Sequence, residues 1–152
     1  MDGEKRRRIV LASGTFDLLH LGHVRYLEGA KKAGGRDAEL VVIVAKDDTV
    51  EKRRGAKPIM PENQRRALVD SLRVVDEAIL GYEEFDIGKV IEKIKPDVIA
   101  LGHDQREIEK AVRNFVNQKG LGIEIVRVGK FEEDKLNSSS KIKERIIEFF
   151  RR

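Results

Sequence analysis

Five short apolar runs, Ile9 to Ser13, Leu40 to Ala45, Glu77 to Leu80, Asp97 to Leu101 and Ile123 to Val128, alternate with longer stretches whose apolar residues recur at helical spacing. Short, mostly β-branched runs without polar alternation suit strands covered on both faces, and the intervening helices supply the covers. The alternation predicts an α/β chain: a five-stranded parallel sheet with right-handed crossovers and helices on both faces. In strand order 3-2-1-4-5 the winding reverses between the first and fourth strands, so the segments that follow them open on one crevice. Helices are expected from Gly22 to Ala33, Pro61 to about Val75, Phe85 to Lys95, Glu107 to Lys119 and Lys141 to Arg152. The second should pack Ala67, Leu68, Leu72 and Val75 inward, and the last Ile142, Ile146, Phe149 and Phe150. Residues 1–8 read as a charged lead-in, and Lys46 to Met60, punctuated by Gly55 and Pro58, as a basic loop.

The segment after the first strand reads Gly14-Thr15-Phe16-Asp17-Leu18-Leu19-His20-Leu21-Gly22-His23. It sits on a strand-to-helix turn, where free backbone N–H groups meet the positive end of a helix, a natural phosphate site. His20 and His23 fall one helical turn apart and can point at one small object. Gly22 removes a Cβ and would let a phosphate chain approach the backbone. The histidines could instead be ordinary helix-start residues, or a metal pair completed by His103. The carboxylates or thiolates that a metal would need are not laid out nearby, and the chain has no cysteine. On the opposite side of the crevice stand Gly102, His103 and Asp104, where Asp104 reads either as a site residue or as a helix cap.

At 152 residues the chain is expected to form one domain, with 40% apolar residues to build a core. No apolar run approaches a membrane span, and no secretory signal opens the chain, so a cytoplasmic address is expected. Lys plus Arg at 31 against Asp plus Glu at 27 gives +4, which fits an anionic small molecule. No Lys/Arg block interleaved with aromatics argues for nucleic acid. The 38% share of charged residues leans toward a thermophilic source.

Gly14-Thr15-Phe16-Asp17 followed by His20-Leu21-Gly22-His23 resembles the signature of the cytidylyltransferase-like nucleotidyltransferases, which share a Rossmann-like fold. The likeness runs from the first strand to the last helix. It is strongest over Ser13 to Gly34 and Lys57 to Leu80, where it points to the archaeal members that join FMN to ATP. It implies transfer of AMP from ATP to FMN, giving FAD and pyrophosphate, with Mg²⁺ or another divalent cation and a homodimeric state. The alternatives are a cytidylyltransferase using CTP and glycerol 3-phosphate or a similar phosphorylated acceptor, and a nucleotide-binding regulator without the chemistry.

The resemblance also assigns residues. His20 and His23 would donate to the α- and β-phosphates, the amides of Thr15 and Phe16 would cradle the α-phosphate, and Gly22, Gly102, His103 and Asp104 would line the nucleotide crevice. Ser138, Ser139 and Ser140 would bind the outer phosphates, although serines before a helix are also ordinary caps. Lys57, with Asp17 and Arg65, is placed at substrate phosphate, Lys57 also acting in catalysis. The basic loop is equally open to a solvated reading. Two departures stand out: Glu132 to Asn137 replaces an Arg-Thr-Glu-Gly-Ile lead-in, with Lys135 a candidate for the missing cation, and His103 stands where the FMN-using members have proline.

Overall fold

The computed structural model describes residues 6–83, 86–132 and 136–152. Strands β1 (Ile9–Gly14), β2 (Glu39–Val44), β3 (Glu77–Leu80), β4 (Val98–Leu101) and β5 (Glu124–Arg127) form one parallel sheet in the order β3-β2-β1-β4-β5. The expected order and its reversal between β1 and β4 are both present. Helices α1 (Leu21–Ala33), α2 (Asp47–Arg54), α3 (Glu62–Asp70), α4 (Ile87–Ile94), α5 (Arg106–Lys119) and α6 (Ser139–Phe150) complete the described elements.

Side chains alternate along β1 and divide the core in two. Val10 and Ala12 join Leu27 and Ala30 of α1 and Val69 of α3, while Leu11 joins Val90 and Ile91 of α4 and Val112 and Val116 of α5. Valines at the centre, such as Val42, Val44 and Val98, are wholly buried. Each contributes on the order of 1.5–3 kcal/mol of hydrophobic stabilisation.

Three expectations about helices are corrected. The basic loop after β2 contains a regular helix, α2, which ends on Gly55 in the left-handed conformation (φ 82°). With Val50 as its only buried residue, α2 has no apolar period to read, and it depends on its ends. Glu62 accepts a hydrogen bond from the Asp47 N–H at 2.8 Å, so α3 caps α2. In α3 the buried positions are Arg65 and Val69, four apart on one face, while Ala67 and Leu68 are exposed. The helix stops at Asp70, whose side chain accepts from Ala78 N–H and ties the helix end to β3. In α6 Ile142 is half-buried, but Ile146, Phe149 and Phe150 are exposed, Phe150 at 79%, so much of that face is left uncovered by the described residues. The expected start of the α4 helix at Phe85 lies outside the described residues; Asp86 caps it by accepting from Lys89 N–H.

Candidate active site

The β1–α1 turn is built on a compact aromatic stack. Phe16 is buried with a positive φ of 55°, and Leu18 follows at 49°. Left-handed backbone at a bulky residue costs about 1 kcal/mol or more and persists only where packing enforces it. Here a Cβ on Gly14 would meet the Phe16 ring at 2.9 Å, and the same ring lies edge-on to His23 with centroids 5.3 Å apart. Gly14 is required because Phe16 folds back over it.

His20 and His23 stack with ring centroids 3.7 Å apart. His20 is the N-cap of α1, and its N–H donates to His23 Nδ1 at 3.2 Å. Burial, followed by the neighbouring His20, pushes the His23 imidazolium down to about 3. A neutral ring whose Nδ1 accepts must carry its proton on Nε2. His23 is therefore a neutral Nε2–H donor across the working pH range. No acidic residue stands in the first turn of α1 to compete with an anion for the helix N-terminus. The space expected to be open at Gly22 is filled: a Cβ there would meet Asn137 O and the His20 ring, each at 2.9 Å. This glycine lets protein close on protein, bringing the segment before α6 against the turn.

Two residues assigned to substrate phosphate instead hold the turn. Arg65 has 0% exposure; it donates through Nε to Met60 O at 2.8 Å, through Nη1 to Thr15 O at 2.7 Å and through Nη2 to Asp47 Oδ1 at 2.6 Å. A guanidinium with all three nitrogens engaged below the surface has no face left for phosphate. It joins β1, α2 and α3. Asp17, also buried, accepts from Ile59 N–H and Met60 N–H at 2.8 and 2.9 Å and lies 3.8 Å from Lys143 of α6. A carboxylate so placed anchors the segment before α3, and it would repel a phosphate.

A cleft of about 370 Å³ opens over the carboxyl ends of the strands. Thr15, Phe16, His20, Gly22 and His23 line it, as do Gly102, His103, Asp104 and Ser138, Ser139 and Ser140. The two stretches far apart in sequence do meet. Gln105 fastens them: its Nε2 donates to Ser13 O at 2.9 Å and its Oε1 accepts from Gly102 N–H at 2.8 Å. Gln105 is also the N-cap of α5, so Asp104 is not that cap and stands exposed in the cleft. Ser138 does cap α6, accepting from Lys141 N–H, while the Ser139 hydroxyl donates to Asp17 O. Lys57 does not line the cleft; it is exposed, 3.9 Å from Asp48. The cations of this segment that do line it are Arg53 and Arg54, in the last turn of α2. Their place could be read only once α2 was known to be a helix that turns its end toward the cleft. Tyr26 also lines the cleft, but burial pushes its phenol up and its hydroxyl donates to Ala100 O, so it is a structural tie. Lys135 lies outside the described residues.

Among the described residues no three His, Asp or Glu side chains come together as a metal site. His103 does not complete a metal set with His20 and His23. A Mg²⁺ arriving with a nucleotide suits such a cleft, because that ion keeps phosphate oxygens and water as most of its ligands. Asp104 is the exposed carboxylate available to it.

A stacked histidine pair at a helix N-terminus, set at the switch point of a parallel sheet, is an arrangement suited to an anionic ligand. The cytidylyltransferase-like family matches residues 11–145, and the chain belongs to that family. It is 55% identical to a Ferroglobus placidus protein named FAD synthase over 91% of this chain and 87% of that one. A Thermoplasma volcanium protein of the same name is 46% identical over 91% of this chain and 94% of that one. A crystal structure described as the lipopolysaccharide core biosynthesis protein from Thermoplasma volcanium, 46% identical, superposes with a TM-score of 0.73 over 82% of this chain and 98% of that one. A structure from Archaeoglobus fulgidus described as of unknown function, 20% identical with a TM-score of 0.61, shares the fold.

Proposed function

We propose that this protein is an FMN adenylyltransferase. A phosphate oxygen of FMN attacks the α-phosphorus of ATP, the bond from that phosphorus to the bridging oxygen breaks, and its electron pair leaves with pyrophosphate; the product is FAD. The second pKa of the acceptor phosphate lies near 6, so the nucleophile is already an oxyanion at neutral pH and needs no base. Catalysis then rests on alignment and on stabilising the charge that moves to the leaving group.

The observation that carries the reading is the stacked His20–His23 pair at the mouth of α1, where His23 Nδ1 accepts from the His20 N–H and leaves its Nε2–H to donate into the cleft. A donor that cannot lose or gain a proton in the working range acts by hydrogen bonding rather than by proton transfer. With His20 it would contact the α- and β-phosphates, the Thr15–Phe16 turn the α-phosphate, and Ser140 with the start of α6 the outer phosphates. Arg53 and Arg54 take the place expected of Lys57 and Arg65 in drawing phosphate charge into the cleft. Mg²⁺, when bound, supplies charge neutralisation on the phosphates.

The relatives' shared name, FAD synthase, supports FMN and ATP over glycerol 3-phosphate and CTP. A cytoplasmic address accords with these substrates; no helix among the described residues is long and apolar enough to cross a membrane. A homodimer through the exposed apolar face of α6 belongs to the same proposal. Purified protein given FMN, ATP and Mg²⁺ should form FAD, read by chromatography. Faster turnover of glycerol 3-phosphate with CTP than of FMN with either nucleotide would overturn the assignment.

A further inference from the structure

The cleft has two unlike ends. Toward β5 and α6 it is polar, bordered by Lys130, Asn137 and the three serines. Toward β2 and β3 it runs between the sheet and the α4–α5 layer, where half-buried Ile43, Ile87 and Ile108 border it and the buried core residues Val90, Ile99 and Val112 lie behind them. None of these side chains can hydrogen-bond a phosphate, a ribose or a base edge.

The hollow has a local cause in β1. Leu11 faces α4 and α5, so Ser13, two residues on, shares that face, and it lies in register with Ile43 of β2. A serine beside Leu11 on its own strand and Ile43 across the sheet, with Ile99 one pair back opposite Leu11, is a short side chain where its neighbours are long. The sheet is shallow there, and the space above it stays open to the cleft. Arg53, Arg54 and Tyr82 border the cleft on the same side.

We infer that this apolar arm receives the isoalloxazine ring of FMN, with the phosphate directed back toward the β1–α1 turn. The inference rests on the FMN adenylyltransferase reading and deepens it. An acceptor that is only a phosphorylated polyol would lose its hydrogen bonds to water in such an arm. A large flat ring gains by leaving water there, and the arm therefore selects for the flavin. The seat is aliphatic rather than aromatic. It is assembled from β-branched residues of four strands and helices that no local motif marks.

Lumiflavin, the ring system without phosphate, tests the arm directly in wild-type protein: it should inhibit competitively against FMN and not against ATP. Val90→Phe and Ser13→Val fill the arm from α4 and from β1. Each should raise KM for FMN by about tenfold or more while ATP affinity is unchanged. Lumiflavin that fails to compete with FMN, or a variant with normal ATP binding and wild-type KM for FMN, overturns the arm's assignment while FAD formation by wild type still stands. If Val90→Phe does not fold, Ser13→Val and lumiflavin decide. Wild-type protein that makes no FAD overturns the enzymatic reading itself, and the ring's seat with it.

Discussion

At the amino ends of the strands, cations and carboxylates have met: Arg6 pairs with Asp97 at 2.7 Å, Lys31 with Asp76 at 2.9 Å and Arg8 with Glu124 at 3.0 Å. Asp97 and Asp76 also accept from the Ile9 and Leu40 N–H groups, so each clamps a strand as well as a charge. At the carboxyl ends, Arg53 and Arg54 border the cleft with no carboxylate partner among the described residues. The same residue types serve opposite ends of one sheet. Charge matched within the protein fastens the fold, and charge left unmatched around a cavity is a field for an anionic ligand.

The sharpest test of this contrast is at the histidines. His20→Ala and His23→Ala should each lower kcat by roughly 10²-fold or more with smaller effects on ATP affinity, because their hydrogen bonds strengthen as charge builds on pyrophosphate. Burial pushes the His23 imidazolium down to about 3, so the acid limb of the pH–rate profile near pH 6 belongs to the acceptor phosphate and should survive in His23→Ala. Loss of that limb in the variant would make His23 a base.

Arg65 lies at the carboxyl end yet is wholly matched. Arg65→Met should reduce unfolding free energy by on the order of 3 kcal/mol in urea titrations, since it leaves the Asp47 carboxylate and two carbonyls without their donor. A variant with wild-type stability and weakened substrate binding would return Arg65 to the site.

Next comes the unmatched pair. Arg53→Ala with Arg54→Ala should raise substrate KM about tenfold with little change in melting temperature, because exposed charges contribute little to stability. Lys57→Ala should do less in the same assay. The reverse ranking would move the phosphate field to Lys57.

The smallest effect is expected at the matched amino end. The Arg6 hydrogen bond, then the Ile9 N–H, holds the Asp97 carboxyl below its ordinary 3.8. A carboxylate with a depressed folded pKa contributes stability that is full above 3.8 and is lost as pH falls through the lower folded value. Asp97→Asn should therefore show a shallower loss of stability on acidification below about pH 4 than wild type, measured by urea midpoints. Identical acid profiles would show that the pair is not a clamp.

The five strands with their helical crossovers and the histidine turn were legible in the sequence, because each rests on periodicity or on residues within one turn of each other. Local signals of that kind survive without knowledge of what packs where. Arg65 was not legible as a structural residue: it becomes one only when Thr15, Asp47 and Met60 converge on it from three elements, and burial is a property of that convergence. Helix α2 was hidden because its charged face carries no apolar period and its stability comes from the α3 cap. The apolar arm was hidden for a related reason. Ser13 reads as an ordinary strand end until its neighbours across the sheet are known to be longer than it is, and only tertiary packing, which sets where side chains fail to meet, decides where a hollow is left.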